Sequence, residues 1–367
     1  MPIIKQSRRP EITTVNPEKA PILLFPTHFL GNFVLGLPWV LKVLESYPDA
    51  LVVLDVRFGP LAAMVLPPQT RTLLFPRSEM AKDKPFFSRL SHYWRFMRAF
   101  RSARTDTILD LEGERFTGVL ALLSGCRNRV GHIGKRAELF YTDIRDPNYK
   151  NHRFNAFGEI VSKYVDEVAP SSSLPYRIGA SAGETIEKLL TAAAGKELVA
   201  IHPGASVSYK LWSREYFAEL VILLHEAGLQ VVWVGAGDKD AEIIDAVTAQ
   251  LGGIEVFNFC NQLSFAELAE LYRRCRFFVG GDSGPMHLAA STGIPVFALF
   301  GPSDETIWAP LGENSHLVRG SEACGEDCDT FRCSLNYRCM TSLRPLSVLA
   351  VINDKILDYD AAQAVED

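Results

Sequence analysis

Residues 277–291 read Phe-Phe-Val-Gly-Gly-Asp-Ser-Gly-Pro-Met-His-Leu-Ala-Ala-Ser. A short apolar run, Phe277–Val279, enters glycines 280 and 281 and then a segment of helical character. Strand, glycine turn and helix start together make an anion site. The unpaired N–H groups and partial positive charge of a helix N-terminus favour a phosphate. Pro285 suits the first helical position, where its missing N–H was unpaired in any case. Gly293 reads as the helix stop and Val296–Phe300 as the next buried strand. Taken alone, the stretch is equally an ordinary βαβ turn.

The same alternation runs through the chain. Strand candidates in the first half are Ile22–Phe25, Leu51–Asp55, Thr72–Phe75, Thr107–Leu111 and Arg129–Gly131, with helical runs at Phe33–Tyr47 and Leu90–Arg104. The second half repeats it with Leu198–His202, Val231–Gly235, Glu255–Phe257, Phe277–Val279 and Val296–Phe300. This predicts an α/β protein of two doubly wound halves, with a cleft at the C-terminal ends of the strands. Ser171–Arg177, with its Ser-Ser-Ser-Leu-Pro, reads as the hinge.

At 367 residues, with 47% hydrophobic and 22% charged content, the chain has the make-up of a two-domain globular protein. A net charge of −5 gives no reason to expect nucleic acid. Met1–Lys19 lacks the apolar core of a signal peptide and reads as an arm. The longest apolar candidate, Leu220–Gly237, is broken by His225 and Glu226, so no spanning segment and a cytoplasmic location are expected.

Three blocks carry a resemblance. Gly281–Pro310 contains Gly301-Pro302-Ser303 and Trp308. His202-Pro203-Gly204-Ala205-Ser206 is followed by Lys210, Trp212, Phe217 and Leu220. Ile22–Phe25 is followed by Leu30-Gly31, Pro38 and Leu41. Together, from about Pro21 to Ile352, the chain resembles glycosyltransferase family 9, the lipopolysaccharide ADP-heptose heptosyltransferases. The resemblance implies a GT-B fold, two Rossmann-like domains facing a central cleft. The expected division is an arm over 1–20, an acceptor-binding domain over 21–175, a nucleotide-sugar-binding domain over 176–345, and a C-terminal helix over 346–367 packing back on the first domain. It implies an inverting transfer, without a metal cofactor, of a heptose from ADP-heptose to a lipopolysaccharide-core or other saccharide acceptor.

On that reading Lys210 neutralises the donor pyrophosphate and Ser206 adds a hydroxyl. Asp282 binds sugar hydroxyls while the amides of Ser283 and Gly284 meet phosphate. His287 donates to phosphate or packs, and Trp212 packs. Gly235-Ala236-Gly237-Asp238 follows a strand, but Asp240 stands where a dinucleotide fingerprint needs a third glycine. The stretch fits a sugar-nucleotide site better than a dehydrogenase, with Asp238 the candidate for the ribose hydroxyls.

One position departs from the family. Its members carry Gly-Asp after the first strand, the aspartate acting as general base; here the pair is Gly31-Asn32. A carboxamide has no suitable basic lone pair. The base is therefore elsewhere, with His28 the leading candidate and Asp55 and Glu112 behind it, or the chain binds donor without transferring, or Asn32 is a deliberate replacement. A GT-B sugar-nucleotide epimerase, acting without acceptor, is the other rival.

Two further features remain. Cys324, Cys328, Cys333 and Cys339 form a cluster. Its readings are a structural Zn or Fe site, unligated thiols or disulfides, and in some relatives of the family the corresponding segment holds iron. Arg89–Arg104 interleaves arginines, including Arg95, Arg98 and Arg101, with Leu90, Tyr93, Trp94, Met97 and Phe100. The apolar positions read as one core-facing side. The arginines form a basic side, either simply solvated or a surface for an acceptor or for anionic lipid at the inner membrane.

Overall fold

The computed structural model describes residues 20–366 apart from 133, 135, 148–149, 167–168, 194 and 323–332. The expected arm, save residue 20, and Cys324 and Cys328 lie outside the described residues. Among the described residues, twelve strands form two parallel sheets. The first holds β1 Ile22–Phe25, β2 Leu51–Asp55, β3 Arg71–Phe75, β4 Thr107–Asp110, β5 Asn128–His132 and β6 Asp143–Arg145, in the order β3-β2-β1-β4-β5-β6. The second holds β7 Leu198–His202, β8 Gln230–Trp233, β9 Phe257–Asn258, β10 Cys275–Gly281, β11 Val296–Phe300 and β12 Ser315–Arg319, in the order β12-β11-β10-β7-β8-β9. Counted from its own first strand, each sheet has the same doubly wound order. Each therefore reverses direction between its first and fourth strands, where such folds bind ligands.

β1 is central and covered on both faces, so its sequence is apolar throughout. Its Ile22 pairs with Leu51 on one side and Ile108 on the other. The two strands that the apolar pattern missed, β6 and β12, are the partly solvated outer edges, where Asp143, Arg145, Ser315 and Arg319 remove the apolar signal.

A continuous apolar core joins the halves. It runs from Phe25, Phe33 and Val40 of the first to Met286, Leu288 and Phe278 of the second. The hinge is tied to both. Leu174 N–H donates to Ser291 O at 3.1 Å and Arg177 N–H to Met64 O at 2.9 Å. The Tyr176 and Ser291 hydroxyls meet at 2.7 Å.

Two expectations are corrected. The C-terminal helix, Pro345–Glu366, packs on the second half. Val348, Ile352 and Ile356, one stripe at four-residue spacing, share a cluster with Phe217, Leu220 and Leu224 of the helix Arg214–Glu226. Arg276 bonds Asp360 at 2.6 Å. The helix Phe86–Arg101 does not bury all its apolar residues on one side. Phe96, Met97 and Phe100 enter the core, but Trp94 is 64% and Phe87 82% exposed, with Phe86 and Leu90 also outward. Phe87, Leu90 and Trp94 form a second stripe beside the buried one, on a surface shared with the exposed Arg95, Arg98 and Arg101.

Candidate active site

A cavity of about 1040 Å³ opens between the halves where the strand ends converge. That is room for more than one small ligand.

On the second wall, β10 ends at Gly281 and the helix Gly284–Ser291 begins, with Pro285 at its second position, one later than expected. Ser283 holds the N-cap position, yet its side chain makes no capping hydrogen bond, so the first N–H groups are left to the cleft. Lys210 Nζ, from the loop after β7, donates to Asp282 Oδ2 at 2.5 Å. Ser206, Lys210, Asp282, Ser283, Gly284 and His287 all line this cavity. His287 is buried, with Nδ1 lacking a partner, and burial pulls its pKa down to about 4. Its ring is therefore neutral. Trp212 packs as expected, its indole N–H donating to Leu343 O at 2.8 Å.

Asp238 is misplaced by the sequence reading. It is exposed on the first turn of the helix Asp238–Thr248 and is not among the cleft residues. Two residues further round the turn, Asp240 faces inward. Its Oδ2 accepts from Ala236 N–H at 2.9 Å and lies 3.1 Å from His202 Nε2. A Cβ on Gly204 or Gly235 would collide with the Asp240 side chain. Absence of a side chain at those glycines makes room for this carboxylate, a requirement that their spacing does not reveal.

On the first wall, His28, Phe29, Leu30, Gly31 and Asn32 line the cavity from the loop after β1 and the start of the helix Leu30–Ser46. His28 Nδ1 is buried without a hydrogen-bond partner. Burial, then the charges of Arg77 and Arg57, hold its pKa below the ordinary value against the pull of Glu114 and Asp55. Glu112, just past β4, is 7% exposed, and its Oε2 has no partner. Burial drives its pKa up to about 7, although the Thr27 hydroxyl opposes the shift. A ring nitrogen of His28 and one oxygen each of Glu112 and Glu114 lie within 4.8 Å of one another.

Asp55, the third candidate base, is closed off. Burial raises its pKa, but ion pairs to Arg57 at 2.9 Å and Arg77 at 2.7 Å more than offset this and leave the pKa lowered. It is a structural anion. Arg153, which no motif announced, lines the cavity and interacts with the charges of Glu112 and Glu114.

Of the cysteine cluster, Cys333 and Cys339 are described and are not joined in a disulfide. Cys333 Sγ accepts from Tyr337 N–H at 3.2 Å, and Cys339 is buried against the second half. No described helix is long and apolar enough to cross a membrane.

Comparison with known proteins bears on the family and the fold. Residues 93–336 match glycosyltransferase family 9 (heptosyltransferase). Lipopolysaccharide heptosyltransferase 3 of Escherichia coli is 23% identical over 292 residues, 78% of this chain and 85% of the relative. Lipooligosaccharide heptosyltransferase 2 of Campylobacter jejuni is 33% identical over 160 residues, 42% of this chain and 50% of that one. The crystal structure of a family 9 glycosyl transferase from Veillonella parvula superposes with a TM-score of 0.77 at 20% identity, covering 93% of this chain and 98% of the other. The fold is GT-B.

Proposed function

Because the chain belongs to glycosyltransferase family 9, we propose that it transfers a heptose, or a related sugar, from ADP-heptose to a lipopolysaccharide-core or other saccharide acceptor, with inversion. The observation that carries this is the pairing of two unlike walls across one cleft. An uncapped helix start with Lys210 faces the histidine–carboxylate group of His28, Glu112 and Glu114. The heptosyltransferase relatives support the choice of sugar.

In this reading the second half, 176–345, holds the donor. Its diphosphate meets the N–H groups at the start of the helix Gly284–Ser291 and the Lys210 ammonium, with Ser206 and His287 beside it. The first half, 21–175, holds the acceptor. Its hydroxyl oxygen bonds to the anomeric carbon as the bond from that carbon to the bridging phosphate oxygen breaks. The bonding pair leaves with ADP. His28 takes the hydroxyl proton, and Glu112 and Glu114 stabilise the imidazolium. Asn32 orients the hydroxyl through its amide. Closure of the halves aligns the reacting atoms.

Phe86, Phe87, Leu90 and Trp94, with Arg95, Arg98 and Arg101, fit a peripheral contact with anionic lipid at the cytoplasmic face of the inner membrane. A structural Zn or Fe at the cysteine cluster predicts about one metal per chain by elemental analysis of anaerobic, chelator-free protein. Metal-free protein contradicts it.

The test of the activity is release of ADP from ADP-heptose that requires an acceptor. Turnover of the donor without acceptor points to an epimerase. Donor binding without turnover points to the inactive homologue that Asn32 itself favours.

A further inference from the structure

Ser283, His202 and Asp240 form a chain of side chains within the cleft. Ser283 Oγ lies 3.2 Å from His202 Nδ1, and His202 Nε2 lies 3.1 Å from Asp240 Oδ2. The chain is built in: His202 is buried, and Gly204 and Gly235 leave the space that Asp240 fills. It also explains the idle cap, since the Ser283 hydroxyl is turned away from its helix and toward His202.

We infer that His202 and Asp240 fix the polarity of the Ser283 hydroxyl, so that it accepts a hydrogen bond from a hydroxyl of the donor sugar and does not serve the diphosphate. This rests on the donor-site reading above and adds a specificity determinant to it. Burial pushes the Asp240 carboxyl up, but the bonds from His202 and Ala236 N–H outweigh it, and the pKa is lowered. An ionised carboxylate only accepts, so His202 Nε2 carries the hydrogen. In the tautomer with its hydrogen on Nε2, Nδ1 presents a lone pair and takes the single hydroxyl proton of Ser283. Only lone pairs remain on Ser283 Oγ. Diphosphate oxygens are acceptors too and gain nothing from them; a sugar hydroxyl can donate. Anion binding thus falls to the backbone N–H groups and Lys210, and sugar recognition to Ser283.

An asparagine at 240 keeps the logic while removing the charge. The single oxygen that meets both Ala236 N–H and His202 Nε2 becomes an amide oxygen, still an acceptor, so the ring hydrogen stays on Nε2.

The test is calorimetric titration with ADP and with ADP-heptose at pH about 8. The proteins are the parent chain, Ser283→Ala, Ser283→Thr and Asp240→Asn. Ser283→Ala is expected to hold ADP within about twofold of the parent and to weaken ADP-heptose about five- to tenfold, the scale of one hydrogen bond. Ser283→Thr keeps the hydroxyl and should restore the difference. Asp240→Asn, which keeps an acceptor at Nε2, should keep a preference for ADP-heptose over ADP, and its loss there would count against the tautomer argument. Equal losses for both ligands in Ser283→Ala, or no loss in either, overturn the inference. If the parent binds neither ligand, the donor-site reading fails and takes this inference with it.

Discussion

Gly31 of the first half lies against the imidazole of His287 of the second: a Cβ on Gly31 would stand 2.8 Å from His287 Cδ2. The approach is reciprocal, since a Cβ on Gly284 would stand 2.7 Å from Leu30 Cβ. Two helix starts, one from each half, meet through glycine on both sides. This contact brings Asn32 and His28 to the same cavity as Lys210 and the helix start at Gly284.

Gly31→Ala must therefore push the buried His287 ring aside. A loss of about 1–3 kcal/mol in unfolding free energy is expected, typical of overpacking. Displacement at the reacting centre should lower kcat/KM about tenfold or more. Chemical denaturation and steady-state kinetics read the two effects. Parent-like behaviour in both would mean that the halves do not meet here.

Lys210→Ala removes the cation and leaves the poorly exposed Asp282 charge without its partner. Affinity for ADP should fall about tenfold or more. Lys210→Ala with Asp282→Asn should recover part of that loss, because the stranded carboxylate repels phosphate. Calorimetry on the two variants decides it, and an unchanged ADP affinity in Lys210→Ala removes the phosphate role.

Glu112 couples stability to activity. Its folded pKa of about 7 stands above the ordinary 4.5. A carboxyl so raised contributes most to stability below the ordinary value, and that contribution is lost as pH rises through about 7. Glu112→Gln should be more stable than the parent at pH about 8, by up to about 3 kcal/mol, and the gap should close near pH about 4.5. The same change should abolish a rise of kcat/KM through pH about 7, where Glu112 ionises beside a neutral His28. Equal stability at both pH values, or an unaltered pH profile, counts against the assignment.

The sequence carried the interior of this molecule well and its surfaces poorly. Buried strands such as β1, β7 and β11 announce themselves as apolar runs, and the Gly-Asp-Ser-Gly-Pro turn carries its own geometry. Asp240 was hidden because a helix turn, not its place after the glycines, decides which acid faces the cleft. Glu112 was named, but its weight comes from burial beside His28 across two loops. Trp94 and Phe87 keep helical spacing with the core residues of their helix. Only packing separates the stripe that enters the core from the one beside it.

That outer stripe gives a prediction of its own. With vesicles of phosphatidylethanolamine and phosphatidylglycerol at low salt, the parent should cosediment. Phe87→Asp with Trp94→Asp should stay in the supernatant while binding ADP normally. Raised salt should weaken the parent's binding through the arginines. Equal sedimentation of parent and variant would remove the lipid assignment.

The proposed transfer needs a group to take the acceptor hydroxyl's proton, and His28 is the group proposed. The most direct measurement is acceptor-dependent release of ADP from ADP-heptose by the chain as it stands, by His28→Gln and by Asn32→Asp, side by side. The expected result is turnover by the parent, and a loss of about a hundredfold or more in kcat for His28→Gln with ADP affinity retained. Turnover that appears only in Asn32→Asp, or a His28→Gln variant as fast as the parent, would contradict the proposal.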